Sequence, residues 1–439
     1  MTIEALDLRA RVARPITKAF HSDFIRHSAL VFGASMAGNI CNYLFNFALS
    51  RRLGVEGFAT LSSLVSFLMI ISIPVSVLSL IIVKYTATYH AAGDAQRVRR
   101  LSQLLLRWTG FGGAVLFAIG ALLRGQIAAF LRIDDQAAIL LCLAIIAISV
   151  VTPSVRSVLQ GEQDFFRFST STILEVFVKL VGAVALVYAG FGVNGAMVGW
   201  IAGTCCALTY TIWAVLRKHG AQAHGAVSLG LDLGRLVQTT TGVGLATGFL
   251  TFISFMDVLL VKHFFDAHQA GLYAAVNLTG KVVLFVAGFV PMVVLPKAAA
   301  RKSSGESAVP ILLQALAMTV LISGAVLVLF GSDPSMVLRV LAGRAFISGA
   351  PLVLQYDAAM CMLAIVTLLV NYRIGIHRFE FLYALGAVLV CEVGAIALYH
   401  RSLWDVVHVL LAGNAVAIIT CAFGVLGREE RSAPEGARA

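Results

Sequence analysis

Residues 35–58 read SMAGNICNYLFNFALSRRLGVEGF. This is an apolar stretch of membrane-crossing character that nevertheless carries Asn39, Asn42 and Asn46 and leaves through Arg51 and Arg52. Ser35, Asn39, Asn42, Asn46 and Ser50 are spaced four, three, four and four apart, so on a helix they form one nearly straight polar stripe. What the stripe faces depends on the solvent around the helix.

Composition decides the solvent. Of 439 residues, 59% are hydrophobic and 13% charged, and the mean hydropathy of +0.91 lies well outside the range of soluble domains. The chain reads as an integral membrane protein, all-α. Runs of about 18 or more apolar residues mark crossings. They predict twelve, near 28–50, 59–83, 105–123, 137–158, 170–189, 195–216, 236–261, 273–295, 308–330, 352–370, 380–398 and 404–427.

Basic residues set the orientation. With both termini cytoplasmic, inner segments hold about 22 of the 33 Lys and Arg and outer loops about 8, with three inside spans, as the excess of positive charge on the cytoplasmic side requires. This distribution also accounts for the net charge of +11. Anionic membrane lipids, not nucleic acid, are its expected partner. The N-terminal stretch carries no small-residue cleavage site and does not read as a secretory signal. All seven cysteines fall inside spans without metal-site spacing, so neither a disulfide framework nor a metal is expected.

A short internal repeat divides the chain. Span 1 leaves through LGVEGFATLSSL and span 7 through FDAHQAGLYAAVNL, which puts Gly57 and Gly271 just before helices rich in small residues. Six spans per half start on the same side, so the halves should be related by a pseudo-two-fold axis along the membrane normal, with a cleft between them. The expected organisation is a cytoplasmic N-terminal segment (1–27), an N-terminal six-helix lobe (28–216), a Gly-rich basic linker (217–235), a C-terminal six-helix lobe (236–427) and a cytoplasmic tail (428–439).

Three stretches carry a family resemblance. HSALVFGASMAGNICNYLFNFALSRRLGVEGFATLSSL resembles the opening of the polysaccharide transporter (Wzx-type) flippases of the MOP (MATE-like) superfamily. VLQGEQDFFRFSTSTILEVFVKLVGAVALVYAGFGVNGAMVGWIAG is similar to its helix 4 to 6 region, and FMDVLLVKHFFDAHQAGLYAAVNLTGKVVLFVAGFVPMVVLPKAAA to the start of its second lobe. Spans 10 to 12 match only loosely. The resemblance implies a V-shaped transporter of two six-helix bundles in the bacterial inner membrane. Its implied cargo is polyprenyl-diphosphate-linked oligosaccharide, flipped from inner to outer leaflet by alternating access during O-antigen, capsule or exopolysaccharide synthesis. A coupling ion (proton or sodium) and other polysaccharide assembly proteins are the further partners it suggests.

Such cargo needs a wet polar cleft with positive charge and no change of covalent bonds, so no enzyme activity and no cofactor are expected. Ionisable groups at depth cost roughly 2.5–3.5 kcal/mol each on insertion and usually face an interior or a cavity. Span 5 places Ser171, Glu175 and Lys179 four apart on one face. Glu175 before Lys179 is the favourable order for an ion pair within one helix, and a neutralised pair stands against a cleft site with Lys179 on the substrate. In spans 7 and 8, Asp257, Asn277 and Lys281 are candidates. Lys281 is the first choice for a diphosphate contact, roughly 12 Å below the outer interface at 1.5 Å per residue. Asp257 either pairs with Lys281, the plainer reading, or takes up the ion. Glu392 in span 11 has no obvious partner and reads as an ion site or a residue near a wet cavity. Asn39, Asn42 and Asn46 are expected to line the cleft, with hydrogen bonding between helices as the alternative. Arg51 and Arg52 either snorkel, the plainer role, or guide the diphosphate outward, and Arg156 reads as an interface anchor. Pro74 and Pro291 are candidate hinges.

Two other classes remain in view. A cation-coupled multidrug exporter of the same superfamily typically carries an acid in the first helix, where this chain has only asparagines. A membrane glycan polymerase or ligase would carry a large outer loop with Arg and His, and the loop near 331–351 has Arg339 and Arg344 but no His.

Overall fold

The computed structural model describes residues 3–219, 233–291, 294, 301 and 309–423, with side chains for residues 30–218, 240–291, 294, 301 and 309–423. In chain order the principal helices are α1 (Ile3–Ile71), α2 (Ile73–Ala91), α3 (Ala95–Leu122), α4 (Arg124–Leu131), α5 (Gln136–Gly161), α6 (Phe165–Leu186) and α7 (Gly192–His219). They continue as α8 (Leu233–Phe264), α9 (Ala267–Ala287), α10 (Val309–Ser332), α11 (Pro334–Leu341), α12 (Ala350–Gly375), α13 (Phe381–Leu398) and α14 (Leu403–Ala422). No strand occurs among the described residues.

Ten described runs are long and apolar enough to cross a membrane, and two of them are too long for one crossing. Leu30–Ile71 has 42 residues and Phe165–Lys218 has 54. As straight helices they would reach about 63 and 81 Å, against a hydrocarbon core of about 30 Å. Glycines divide both. Gly54 takes φ 70° and ψ −176° inside α1, and Gly190 and Gly192 take φ 97° and 56° between α6 and α7, a region of backbone space that side-chain-bearing residues rarely enter. Divided there, the ten runs give twelve segments, and the second of them, residues 55–71, continues past Ser72 into α2.

Short loops are fixed by acids at helix starts. Asp94, Asp164, Asp266 and Asp333 each accept a hydrogen bond from the backbone N–H three residues on, and Asp135 from those of Ala137 and Ala138. Ser402 and Asp405 complete a reciprocal capping box at α14. Each cap satisfies amide groups that a helix start leaves unpaired and contributes about 1 kcal/mol. Many of the chain's few acids are thus spent on turns.

The helices form two bundles. In the first, α6 packs on α7, α2 and α3 on α5, and α1 on α6. In the second, α9 and α10 pack on α12, α12 and α13 on α14, and α13 on α8. The bundles meet where α1 and α2 run against α8 and α9. Large apolar side chains such as Phe111, Leu321, Val328 and Ile419 are exposed on the perimeter, the arrangement that a hydrocarbon solvent selects.

Glycine permits the tightest approaches. A Cβ at Gly199 would collide with the backbone of Ala183, and one at Gly203 with Glu175 O, so α6 and α7 lie nearly backbone to backbone. A Cβ at Gly271 would collide with Val55 O. Gly271 and the Val55–Gly57 turn are the two segments the internal repeat equates, and they touch where the lobes join. Pro74 lies in the first turn of α2, directly after the break at Ser72, and Pro291 follows the break at Gly288 that ends α9. Most of the expected linker 217–235 and all of the tail 428–439 lie outside the described residues.

Candidate functional site

Between the bundles lies a cavity of about 600 Å³. Asn39, Asn42 and Asn46 line it from α1, Lys179 from α6, Trp200 from α7, Phe255 from α8 and Lys281 from α9. The polar stripe of the first span and the two lysines, far apart in sequence, therefore face one space. No Asp or Glu is among the lining residues.

Lys179 is 6% exposed. Its ammonium donates to Asn42 Oδ1 at 2.5 Å and sits over the rings of Trp200 at 4.1 Å and Phe45 at 4.8 Å. Those rings meet edge to face at 6.0 Å. Two aromatic faces and a neutral amide hold the cation without cancelling its charge. Asn46 spends an amide hydrogen on Asn42 O at 2.8 Å in its own helix. Lys281 lies over Phe255 at 4.6 Å.

The structure pairs the charges of the first lobe differently from the sequence expectation. Glu175 does not neutralise Lys179; its Oε2 accepts from Arg156 Nη2 at 2.5 Å. Arg156 also donates to Ser171 Oγ at 3.1 Å, which makes it the partner of Glu175 in a bridge from α5 to α6 and not an interface anchor. The reason is direction: on α6, Glu175 turns toward α5 and Lys179 toward α1.

The second lobe likewise replaces the plainer reading of Asp257. Its Oδ2 accepts from Tyr273 at 2.8 Å and Tyr356 at 2.9 Å, with Asn277 Nδ2 at 3.5 Å, and no lysine lies within 4.0 Å among the described residues. Asn277 also donates to Tyr356 at 2.5 Å and is buried in this network, off the cavity wall. Asp257 Oδ1 has no hydrogen-bond partner among the described residues. Also against α9 stands an acid that the sequence reading passed over, Asp357, fully buried, whose Oδ1 accepts from Thr279 at 2.7 Å while Oδ2 is unpartnered among the described residues. An acid five residues into the predicted span 352–370 was the available signal.

At one end of the cavity Arg51 does not snorkel. It donates to Phe47 O at 2.9 Å and to Val340 O at 2.7 Å and Arg339 O at 3.3 Å, capping α11 from the opposite lobe. Arg52 lies 5.6 Å over Tyr188. Toward the other end, Phe32 and Phe289 bring their rings within 5.7 Å across the lobes. Glu392 is apart from all of these, between α13 and α14.

Two bundles enclosing one central, membrane-embedded cavity are the fold that solved transporters of the MOP superfamily share. An inward-facing MATE-family multidrug resistance transporter of that superfamily superposes with a TM-score of 0.72 at 14% identity, over 90% of this chain and 94% of that one. The lipid II flippase MurJ, inward closed, gives 0.70 at 12% identity over 91% and 87%. A MOP superfamily transporter from Pyrococcus furiosus, for which reverse polarity of the binding pocket suggests a different function, gives 0.60 at 16% over 93% and 95%. No curated protein matches the sequence. Residues 107–351, more than half of the chain, match the polysaccharide biosynthesis protein family, and the chain belongs to that family. Fold and family together meet the resemblance read from the sequence.

Proposed function

We propose that the protein is a flippase for polyprenyl-diphosphate-linked oligosaccharide, carrying its cargo from the inner to the outer leaflet of a bacterial inner membrane by alternating access. The observation that carries this reading is the cavity wall: one lysine from each lobe, neither neutralised by an acid, opposite a row of asparagines. A diphosphate entering a low-dielectric cleft needs cationic donors that are not already paired. Lys179 and Lys281 are such donors, and binding both lobes at once ties the cargo to the conformational change. The asparagine amides suit the glycan, replacing its water with donors and acceptors that carry no net charge. An exporter of cationic drugs would need the opposite lining. Among solved structures of this fold, the reverse polarity of the Pyrococcus protein's binding pocket suggests a different function for that protein.

In this reading Asp257 and Asp357 are the groups that take up the coupling ion, proton or sodium. Each is buried beside α9, the helix that also carries Lys281, and each keeps one oxygen without a partner.

The test is transbilayer movement of a labelled polyprenyl-diphosphate oligosaccharide in proteoliposomes, with and without a proton or sodium gradient. Protein-dependent movement supports the reading. Absence of movement together with efflux of cationic dyes replaces it with an exporter, and chain elongation of the lipid-linked sugar with a polymerase.

A further inference from the structure

Glu392 sits eleven residues from the start and six from the end of α13, and Gly413 ten and nine in α14, so both lie at least about 9 Å from the nearer end of their helices, inside a 30 Å core. Glu392 is 3% exposed. Neither of its carboxyl oxygens has a hydrogen-bond partner among the described residues. A Cβ at position 413 would overlap Oε1, so the carboxyl occupies a notch that exists because residue 413 is glycine. The notch forms one wall of a groove of about 510 Å³, bounded otherwise by Ala387, Cys391, Ala412 and Val416, which are exposed on the bundle perimeter. The groove opens toward lipid and is separate from the central cavity.

The neighbours supply no counter-charge. On α14 no titratable group occurs between His408 and Cys421. On α8, the other helix packed against α13, the described titratable groups are Asp257, which is an acid, and Lys262 and His263 in the last turn. An ionised carboxylate with both oxygens bare and alkyl walls around it is not sustained at this depth, whereas the neutral acid is.

We infer that Glu392 is a proton-binding site, held as the neutral acid in this conformation and reached by small apolar reagents through the groove between α13 and α14. This inference is independent of the flippase reading. A hydrophobic carbodiimide is the chemical probe: the acid's proton passes to a carbodiimide nitrogen, its oxygen bonds to the central carbon, and acyl transfer to nitrogen leaves an N-acylurea. The protein gains the mass of the whole reagent, with no leaving group and no oxidant.

The experiment treats the full chain in lipid nanodiscs with dicyclohexylcarbodiimide or with a water-soluble carbodiimide, and reads the peptide containing Glu392 by mass spectrometry. The expected result is labelling by the hydrophobic reagent, at least about tenfold above the water-soluble one because only the former enters hydrocarbon. It should slow as the pH is raised and be absent in Glu392→Gln. A detergent-denatured sample supplies the positive control for that peptide. The inference is overturned if the folded protein stays unlabelled while the denatured sample reacts, if both reagents label equally, or if the rate does not respond to pH. Because the readout is mass and not transport, its failure is distinguishable from failure of the flippase reading.

Discussion

Lys179 and Lys281 stand in opposite lobes and face one cavity, and neither has a carboxylate within 4.0 Å among the described residues. Each cation is held by ring faces, with Asn42 as the added amide partner of Lys179. The cleft between the lobes therefore carries unspent positive charge on both of its sides.

That arrangement predicts the behaviour of single substitutions. Lys179→Met or Lys281→Met should each lower transport of the diphosphate-linked cargo by roughly 10- to 100-fold, the equivalent of about 1.5–3 kcal/mol for one hydrogen bond to a charged group. Arginine at either position should restore part of it. Transport rates in proteoliposomes, normalised to folded protein, check this; full transport by both methionine variants would remove the lysines from the site.

Asn42→Asp provides the complementary test. The new carboxylate would stand where Asn42 Oδ1 now accepts from Lys179 and would neutralise it in place. Expression and thermal stability should hold while transport drops at least about tenfold. Unchanged transport would mean that the charge of Lys179 is not used.

The Arg156–Glu175 bridge is expected to be structural. Its side chains are 12% and 22% exposed, and removing one partner leaves the other unpaired, at a cost of about 3–5 kcal/mol for a buried pair, less here for the partial exposure. Glu175→Gln should lower the Tm in detergent, and a double substitution with Arg156→Leu and Glu175→Leu should recover most of the loss. A double variant as unstable as the single would argue against the pairing.

Asp257→Asn keeps an acceptor for Tyr273 and Tyr356 while removing the ionisable group. Transport should persist down a cargo gradient and lose its acceleration by an imposed proton or sodium gradient. Measuring both rates in one preparation separates coupling from folding.

Gly271→Val would force a side chain into Val55 O, where the lobes join. Overpacking of this kind costs about 1–3 kcal/mol, with more where backbone must move. A reduced melting temperature with the central lysines intact is the expected outcome, read by thermal shift.

Much of this architecture is legible in the sequence because one solvent imposes it. Apolar run lengths give the crossings, and the spacing of Asn39, Asn42 and Asn46 gives the face that meets the cavity. What the sequence withholds is partnership between distant helices. Glu175 and Lys179 share a helix and suggest each other, yet their partners are Arg156, on α5, and Asn42, 137 residues away in sequence from Lys179. Asp257 and Lys281 suggest a pair in the same way, but the rotation of α8 presents the acid to Tyr273 and Tyr356. Local spacing reports what one helix can offer. Packing decides which neighbour accepts it.

The break at Gly54 also bears on how the chain enters the bilayer at all. Leu30–Ile71 emerges from the ribosome as a single hydrophobic ribbon of 42 residues, twice what one crossing uses. Threaded straight, it would strand Arg51 and Arg52 beside hydrocarbon, at about 2.5–3.5 kcal/mol each. Broken at Gly54, it places both arginines at the turn between two helices, exposed and outside the apolar runs. The translocon thus receives two helices as one unit, before any later helix has been made.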